Sequence, residues 1–227
     1  MLECATAITS GRYPMPDSKP TVIVVDDDVS TREGLESLLH AAGWSVRSFA
    51  SATEFLSWRA PPGPSCLLLD VGLPDLSGLD EQDRIAGERP ELPIIFITGY
   101  GDVPMTVRAM KAGAAEFLTK PLAEETLLPA IERAIELSRT AVDEQDDHRK
   151  LLTRYQSLSP RERQVMTLVV SGLLNKQVGW ELGISEITVK AHRGRVMEKM
   201  EAGSFADLVK KSERLELEIV PPRDGAA

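Results

Sequence analysis

A strict alternation of short apolar runs and amphipathic segments between residues 21 and 138 constrains the fold of this chain more than any other feature. Strands are predicted at residues 21–25, 45–49, 66–69, 94–97 and 116–119. Helices are predicted at residues 30–42, 51–58, 79–86 and 104–112, and a long helix from residue 123. The strands at 21–25, 66–69 and 94–97 are almost continuous apolar runs, as expected when helices cover both faces of a sheet. The pattern therefore predicts an α/β doubly wound sheet of five parallel strands.

Local cap signals support two of these helices. Ser30 with Glu33, and Ser51 with Glu54, have the spacing of a capping box, which predicts a helix start at each serine.

Composition excludes several classes of protein. Hydrophobic residues make up 42% of the 227 and charged residues 27%, which excludes wholesale disorder. No apolar run approaches the ~18 residues that a membrane helix needs, and residues 1–20 lack a secretory signal. Two cysteines cannot supply a disulfide framework or a zinc site alone. We therefore expect a cytoplasmic protein without a membrane partner, with a disordered leader at residues 1–20 and Met15 as a hypothetical start.

Polar side chains follow four of the predicted strands. Asp26 and Asp27 come after the first strand, Asp70 after the third, Thr98 after the fourth and Lys120 after the fifth. Because ligands bind outside the carboxyl ends of parallel strands, these side chains are expected to converge on one site.

The predicted cluster of carboxylates indicates a divalent cation. Carboxylates at close range repel unless a cation neutralises them, and Mg²⁺ prefers carboxylates together with water and phosphate oxygens. We expect Mg²⁺ to lie between Asp27, Asp70 and the main-chain carbonyl of Gly72, with Asp26 contributing directly or through water. Asp28 is expected to be a neighbour or a helix cap rather than a ligand.

A carboxylate beside Mg²⁺ can act as a nucleophile towards phosphorus. The site therefore predicts phosphoryl transfer to Asp70, with Lys120 and Thr98 supplying donors for the new phosphate. A Mg²⁺-dependent phosphatase with Asp27 or Asp70 as nucleophile is the alternative from the enzyme class.

Residues 21–138 resemble the CheY-like receiver domains of two-component response regulators. The matching segments are Val24-Val25-Asp26-Asp27-Asp28, Leu69-Asp70, Leu73-Pro74-Asp75-Leu76-Ser77-Gly78, Phe96-Ile97-Thr98-Gly99 and Phe117-Leu118-Thr119-Lys120-Pro121. The resemblance implies that a sensor histidine kinase phosphorylates Asp70 in the presence of Mg²⁺. It also implies a switch in which Thr98 reorients and Phe117 changes rotamer, and a cis Lys120–Pro121 bond.

Two further segments, 99–105 and 110–114, resemble the FixJ-type subset of receivers. The subset dimerises on phosphorylation through its fourth helix and fifth strand, which correspond here to residues 103–112 and 116–119. Glu81 departs from the leucine that such receivers often carry.

Beyond residue 138 the pattern becomes helical. Residues 139–154 read as a charged linker, helical or partly helical, residues 155–215 as an all-α domain, and residues 216–227 as a flexible tail. A capping box at Ser159 and Glu162 begins the first helix of the all-α domain, and Gly183-Ile184-Ser185 joins two helices as in a helix-turn-helix.

The whole chain carries a net charge of -9, yet residues 151–200 hold 8 basic and 4 acidic residues. The charge of the whole chain argues against nucleic acid as a partner, but the asymmetry between its halves indicates two separate functions.

The helix that begins at Ser185 has one apolar and one basic face. At about 100° per residue, Val189, Val196 and Met200 fall on one side. The opposite side carries small and basic residues suited to phosphates and base edges: Lys190, Ala191, Gly194 and Arg195. Arg193 lies nearer the buried side, where contact with a phosphate from the flank is expected.

Residues 155–215 resemble LuxR-type DNA-binding domains of the NarL/FixJ class. The matching segments are Leu158-Ser159-Pro160-Arg161-Glu162-Arg163, Gly172-Leu173-Leu174-Asn175-Lys176-Gln177 and the run from Leu182 to His192. The resemblance implies a helix in the major groove, backbone contacts from Lys176 and Thr188, and dimer contact through the last helix. Gly179 and Trp180 depart from the small or polar pair that is usual in this family, and Trp180 is expected to pack either on the core or on a DNA sugar.

Together these features predict a transcriptional regulator that is activated by phosphorylation. The expected partners are a sensor histidine kinase, double-stranded promoter DNA and a second copy of the chain, with RNA polymerase as a further candidate. A DNA-binding regulator that does not depend on phosphorylation remains an alternative.

Overall fold

The computed structural model describes residues 19–74, 85, 89–99, 110 and 113–216. The chain divides into two compact units, Met1–Asp143 and Glu144–Ala227. The predicted helices at 79–86 and 104–112, together with Glu81, lie outside the described residues, apart from Ile85 and Met110, which are helical. The predicted leader and tail also lie outside them, apart from residues 19–20 and 216.

The first unit contains the predicted parallel sheet. Among the described residues it has five strands: β1 Thr21–Val25, β2 Ser45–Phe49, β3 Ser65–Asp70, β4 Ile94–Thr98 and β5 Glu116–Thr119. Their order is β2-β1-β3-β4-β5, and every pairing is parallel. Buried apolar clusters lie on both faces of the sheet. The doubly wound fold is therefore confirmed, and the pairing brings the carboxyl ends of β1, β3, β4 and β5 to one edge.

Two short helices of this unit show how local capping sets helix starts. Helix α1 spans Val29–Ala41, and its N-cap is Asp28, whose carboxylate accepts hydrogen bonds from the Ser30 amide and the Thr31 hydroxyl. The predicted capping box at Ser30 is wrong, because the Asp28 carboxylate takes the cap position first. Helix α2 spans Ala52–Ser57, and its predicted cap by Ser51 is confirmed.

Helix α3 runs continuously from Glu124 to Gln156. In the first unit its buried Ser138 hydroxyl accepts a hydrogen bond from the Ser65 amide at the start of β3 and donates one to the Glu91 carbonyl. These bonds attach the helix to the amino-terminal edge of the sheet. No helix in the described part of the chain is long and apolar enough to span a membrane.

The second unit is helical, as predicted. Its helices are α4 Pro160–Val170, α5 Asn175–Leu182, α6 Glu186–Lys199 and α7 Phe205–Arg214. The predicted capping box of Ser159 and Glu162 is present at α4. The apolar core of this unit also includes Leu151 from the last turns of α3.

Candidate functional site

Two carboxylates and one ammonium group meet at the carboxyl edge of the sheet. Asp26 follows β1 and is 1% exposed, and Asp70 ends β3 and is also buried. The Lys120 Nζ, just after β5, lies 2.7 Å from Asp26 Oδ2 and 2.9 Å from Asp70 Oδ2. Burying charges is costly unless they are paired, so Lys120 compensates the two buried acids.

Asp27 completes a group of carboxylates that could hold a metal ion. One oxygen from each of Asp26, Asp27 and Asp70 lies within 4.8 Å of the other two. Asp27 is exposed, so the group opens to solvent on that side. An all-oxygen set of this kind suits a hard divalent cation.

Backbone contacts orient the two buried acids. Asp26 Oδ1 accepts a hydrogen bond from the Asp28 amide at 2.9 Å, and Asp70 Oδ1 accepts one from the Gly72 amide at 3.1 Å. Arg32 Nη1 donates to the Asp26 main-chain carbonyl at 2.6 Å. Sequence reasoning missed Arg32, because nothing in the pattern of α1 signals a side chain that reaches back to β1.

The two predicted switch residues, Thr98 and Phe117, lie on β4 and β5. Thr98 is buried at the end of β4, and its carbonyl accepts the Lys120 amide at 2.7 Å. The Lys120–Pro121 bond is cis, as the resemblance implied. Phe117 is half-buried on β5, with its ring centroid 6.4 Å from that of Phe96.

Electrostatics keep Lys120 charged. Burial of the ammonium group lowers the pKa of Lys120, but hydrogen bonds and Coulombic attraction from Asp26 and Asp70 together outweigh burial and raise that pKa above its ordinary value. The site therefore retains a fixed positive charge beside Asp70, which suits the stabilisation of an incoming phosphoryl group.

The second unit presents the predicted two-faced helix. Val189, Val196 and Met200 are fully buried, which confirms the predicted stripe. The predicted outward residues are exposed, and so are the two predicted backbone contacts: Lys190, Ala191, Gly194, Arg195, Lys176 and Thr188. The N-cap of α6 is Ser185, whose hydroxyl lies 2.8 Å from the Thr188 hydroxyl.

Arg193 has internal contacts. It is half-buried, its Nη1 donates to Asn175 Oδ1 at 3.3 Å, and its guanidinium carbon lies 4.9 Å from the centroid of the Phe205 ring. These contacts connect α6 with the start of α5 and with α7, which helps to orient α6 in its unit.

The turn between α5 and α6 depends on a glycine that sequence reasoning treated only as a departure from the family pattern. A Cβ added to Gly179 would lie 2.7 Å from the Ile184 carbonyl oxygen, closer than real Cβ contacts. The neighbouring Trp180 is 78% exposed, which removes the alternative that it packs on the core.

Comparisons with known proteins agree with both units. A family model described as the response regulator receiver domain matches residues 22–132, and one described as bacterial regulatory proteins of the luxR family matches residues 156–212. Nodulation protein W of Bradyrhizobium diazoefficiens is 50% identical over 205 residues, which cover 90% of this chain and 90% of that protein. The chain belongs to the response regulators with a LuxR-type DNA-binding domain.

Further relatives agree with this assignment. Transcriptional regulatory protein FixJ of Rhizobium meliloti is 42% identical over 190 residues, covering 84% of this chain and 93% of that protein. The low-resolution structure of the response regulator StyR is 47% identical, with a TM-score of 0.74, and covers 87% of this chain and 100% of that chain.

Family membership defines the general function. The family consists of transcriptional regulators rather than classical enzymes, which does not support the phosphatase alternative. The receiver domain implies a kinase as partner, and the LuxR-type domain implies DNA binding. This FixJ-like response regulator is therefore a phosphorylation-activated regulator of transcription.

Proposed function

We propose that Asp70 is the phosphoacceptor of this regulator. The observation that carries the proposal is the contact of one ammonium group, Lys120 Nζ, with both Asp26 and Asp70 beside the exposed Asp27. A carboxylate oxygen of Asp70 would form the new bond to phosphorus while the bond from phosphorus to the kinase histidine breaks. Lys120 and Thr98 would then donate to the phosphoryl oxygens. We expect no turnover beyond slow gain and loss of this group.

The acidic group fits Mg²⁺ as its cofactor, because its donors are carboxylate oxygens and one side is open to water. Asp26, Asp27, Asp70 and the main-chain carbonyl of Gly72 are the proposed ligands. When bound, Mg²⁺ would neutralise charge on the phosphoryl oxygens. Hydrogen bonds from the Asp28 amide and from Lys120 fix the orientation of the Asp26 carboxylate within the acidic group.

Phosphorylation would act by shifting an existing equilibrium. Thr98 would turn towards the phosphate and Phe117 would change rotamer, favouring dimerisation through residues 103–112 and 116–119. We propose a receiver at residues 21–138, a linker at 139–154 and a DNA-binding domain at 155–215. A dimer would engage two half-sites and multiply a modest affinity per domain.

The proposed DNA contacts follow from exposure and charge. Lys176 and Thr188 would contact the backbone, and Lys190, Ala191, Gly194 and Arg195 would face the major groove. Arg193, with its internal contacts, would reach a phosphate only from the flank. A regulator that binds the chromosome acts in the cytoplasm, where we propose that this one functions; RNA polymerase is a candidate further partner.

Intact-protein mass spectrometry after incubation with a small acyl phosphate tests the phosphoacceptor. We expect one phosphoryl adduct on the wild-type protein in the presence of Mg²⁺. The adduct should not form in Asp70→Asn, nor in wild-type protein that is treated with EDTA before the donor is added. Asp28→Asn is the matched control, because it removes a neighbouring acid that caps α1, and asparagine caps about as well. An adduct that persists in Asp70→Asn would refute the assignment.

A further inference from the structure

The most exposed of the large apolar side chains in the described residues lie on the helix-turn-helix. Leu174, Trp180 and Ile187 are 70%, 78% and 80% exposed, and the other large apolar side chains of the described chain are all less exposed. Single exposed apolar residues are ordinary on protein surfaces. These three residues lie within 174–187, on the elements predicted to meet DNA, and Ile187 is the most exposed of them.

Ile187 occupies the centre of the outward face of α6. At about 100° per residue, Ile187 and Ala191 lie within about 20° of the direction opposite the buried Val189. Gly194 lies within about 40° of the same direction, while Lys190 and Arg195 lie about 80° and 60° to either side of it. The face therefore has a ridge of apolar and small residues between two cations.

This arrangement matches the surfaces of a major groove. The walls of the groove are phosphates, which attract the flanking cations, and its floor carries base edges, among which only thymine presents a methyl group. Ile187 is in the first turn of α6, and the first residues of a recognition helix are the ones that reach base edges.

The polar side chains next to Ile187 form an ion pair and a hydrogen bond with one another. Lys190 Nζ lies 3.0 Å from Glu186 Oε1, and the Thr188 hydroxyl contacts the Ser185 hydroxyl. The excess of basic over acidic residues in 151–200 favours a nucleic acid over an apolar protein surface as the partner of this face.

We propose that Ile187 is a specificity-determining residue of this regulator, and that it reads an A·T pair by contacting the C5-methyl group of a thymine in the major groove. The proposal rests on the proposed DNA-binding function and specifies which base chemistry α6 recognises. It makes Ile187 a base-reading residue and leaves Lys190 and Arg195 to set affinity through the phosphates.

The test replaces each thymine of a selected half-site, one at a time, by deoxyuridine, which lacks only the methyl group. The site is first selected from random DNA with the full-length, phosphorylated protein. We expect one position at which the wild-type protein loses about fourfold in affinity, the effect of one buried methyl-sized group. Ile187→Ala should bind the thymine and deoxyuridine sites equally at that position, and Ile187→Val should retain a preference for thymine.

Lys190→Ala is the matched control on the same face of the same helix. It should weaken binding to all sequences and lower the salt dependence, while the thymine-to-deoxyuridine ratio stays that of the wild type. If Ile187→Ala binds DNA and retains the wild-type ratio at every position, the proposal is overturned and DNA binding stands. If the wild-type protein selects no site at all, the proposed function fails as well.

Discussion

Neutralising Glu162 should destabilise the DNA-binding unit much more than neutralising an exposed glutamate elsewhere in the same unit. Glu162 is buried, and its Oε2 accepts hydrogen bonds from Lys199 Nζ at 2.7 Å and from the Ser159 amide at 2.8 Å. One carboxylate thus caps α4 and connects it to the end of α6. Glu162→Gln keeps the shape and an acceptor for the cap but removes the charge that pairs with Lys199.

The pKa of Glu162 gives the size of the effect. The hydrogen bond from Lys199, followed by that from Ser159, lowers the pKa of Glu162 from 4.5 to about 2. At 1.36 kcal/mol per pKa unit, the ionised form stabilises the folded unit by about 3 kcal/mol at pH 7. Because the folded pKa is depressed, this stability is complete above the unfolded pKa and is lost as the pH falls towards 2, with about 1.5 kcal/mol remaining at pH 3.

Hydrogen exchange of the full-length protein, read by mass spectrometry, measures the local free energy of opening. Peptides from α4 and α6 should lose about 3 kcal/mol of protection in Glu162→Gln at pH 7 and about half of that at pH 3. Peptides from β1 and β3 in the other unit serve as an internal reference. Glu198→Gln makes the same change of charge at an exposed position of α6, and it should change protection by less than about 0.5 kcal/mol.

The reasoning is refuted by either of two results. One is a Glu162→Gln protein whose protection at pH 7 matches that of Glu198→Gln. The other is a loss of protection that is the same at pH 7 and pH 3, since a loss due to charge must shrink as the wild-type carboxylate becomes protonated.

Two further substitutions each test one close contact, the first in the DNA-binding unit and the second in the receiver. Gly179→Ala should destabilise the DNA-binding unit by about 1–3 kcal/mol in a calorimetric scan and should weaken DNA binding, because its Cβ would lie 2.7 Å from the Ile184 carbonyl oxygen. Gly194→Ala is the control, because the space around its Cβ is open, and it should leave the stability unchanged or raise it in the same scan. Ser138→Ala should lower the receiver's free energy of unfolding in urea by about 1–3 kcal/mol, because the Ser65 amide and the Glu91 carbonyl both lose their hydrogen-bond partner. An unchanged free energy of unfolding would show that those groups find other partners.

Local sequence signals predicted most of the secondary structure. The first and last residues of β1, β2 and β5 match the prediction, and the caps at Ser51, Ser159 and Ser185 begin helices as expected. The exception at α1 has a local cause, since Asp28 and Ser30 both carry cap-forming side chains and the aspartate comes first along the chain.

The candidate site was also predictable in composition, because strand ends in a parallel sheet share one edge and the acids could be counted from the sequence. The pairs of side chains that contact one another could not be predicted from the sequence. Lys120 and Asp26 are 94 residues apart, Ser138 and Ser65 are 73 apart, and Lys199 and Glu162 are 37 apart. Periodicity carries no information on which of several nearby polar groups will pair.

The sequence by itself determined the order of the elements, the parallel sheet, the acidic edge and the basic helix of this regulator, because periodicity and caps act between residues a few positions apart. Only the tertiary structure decided that Lys120 joins two buried acids, that Arg193 contacts α5 and α7, and that Ile187 is exposed. The physical reason is that a side chain's partner and exposure depend on the distances that packing sets between elements far apart in the chain.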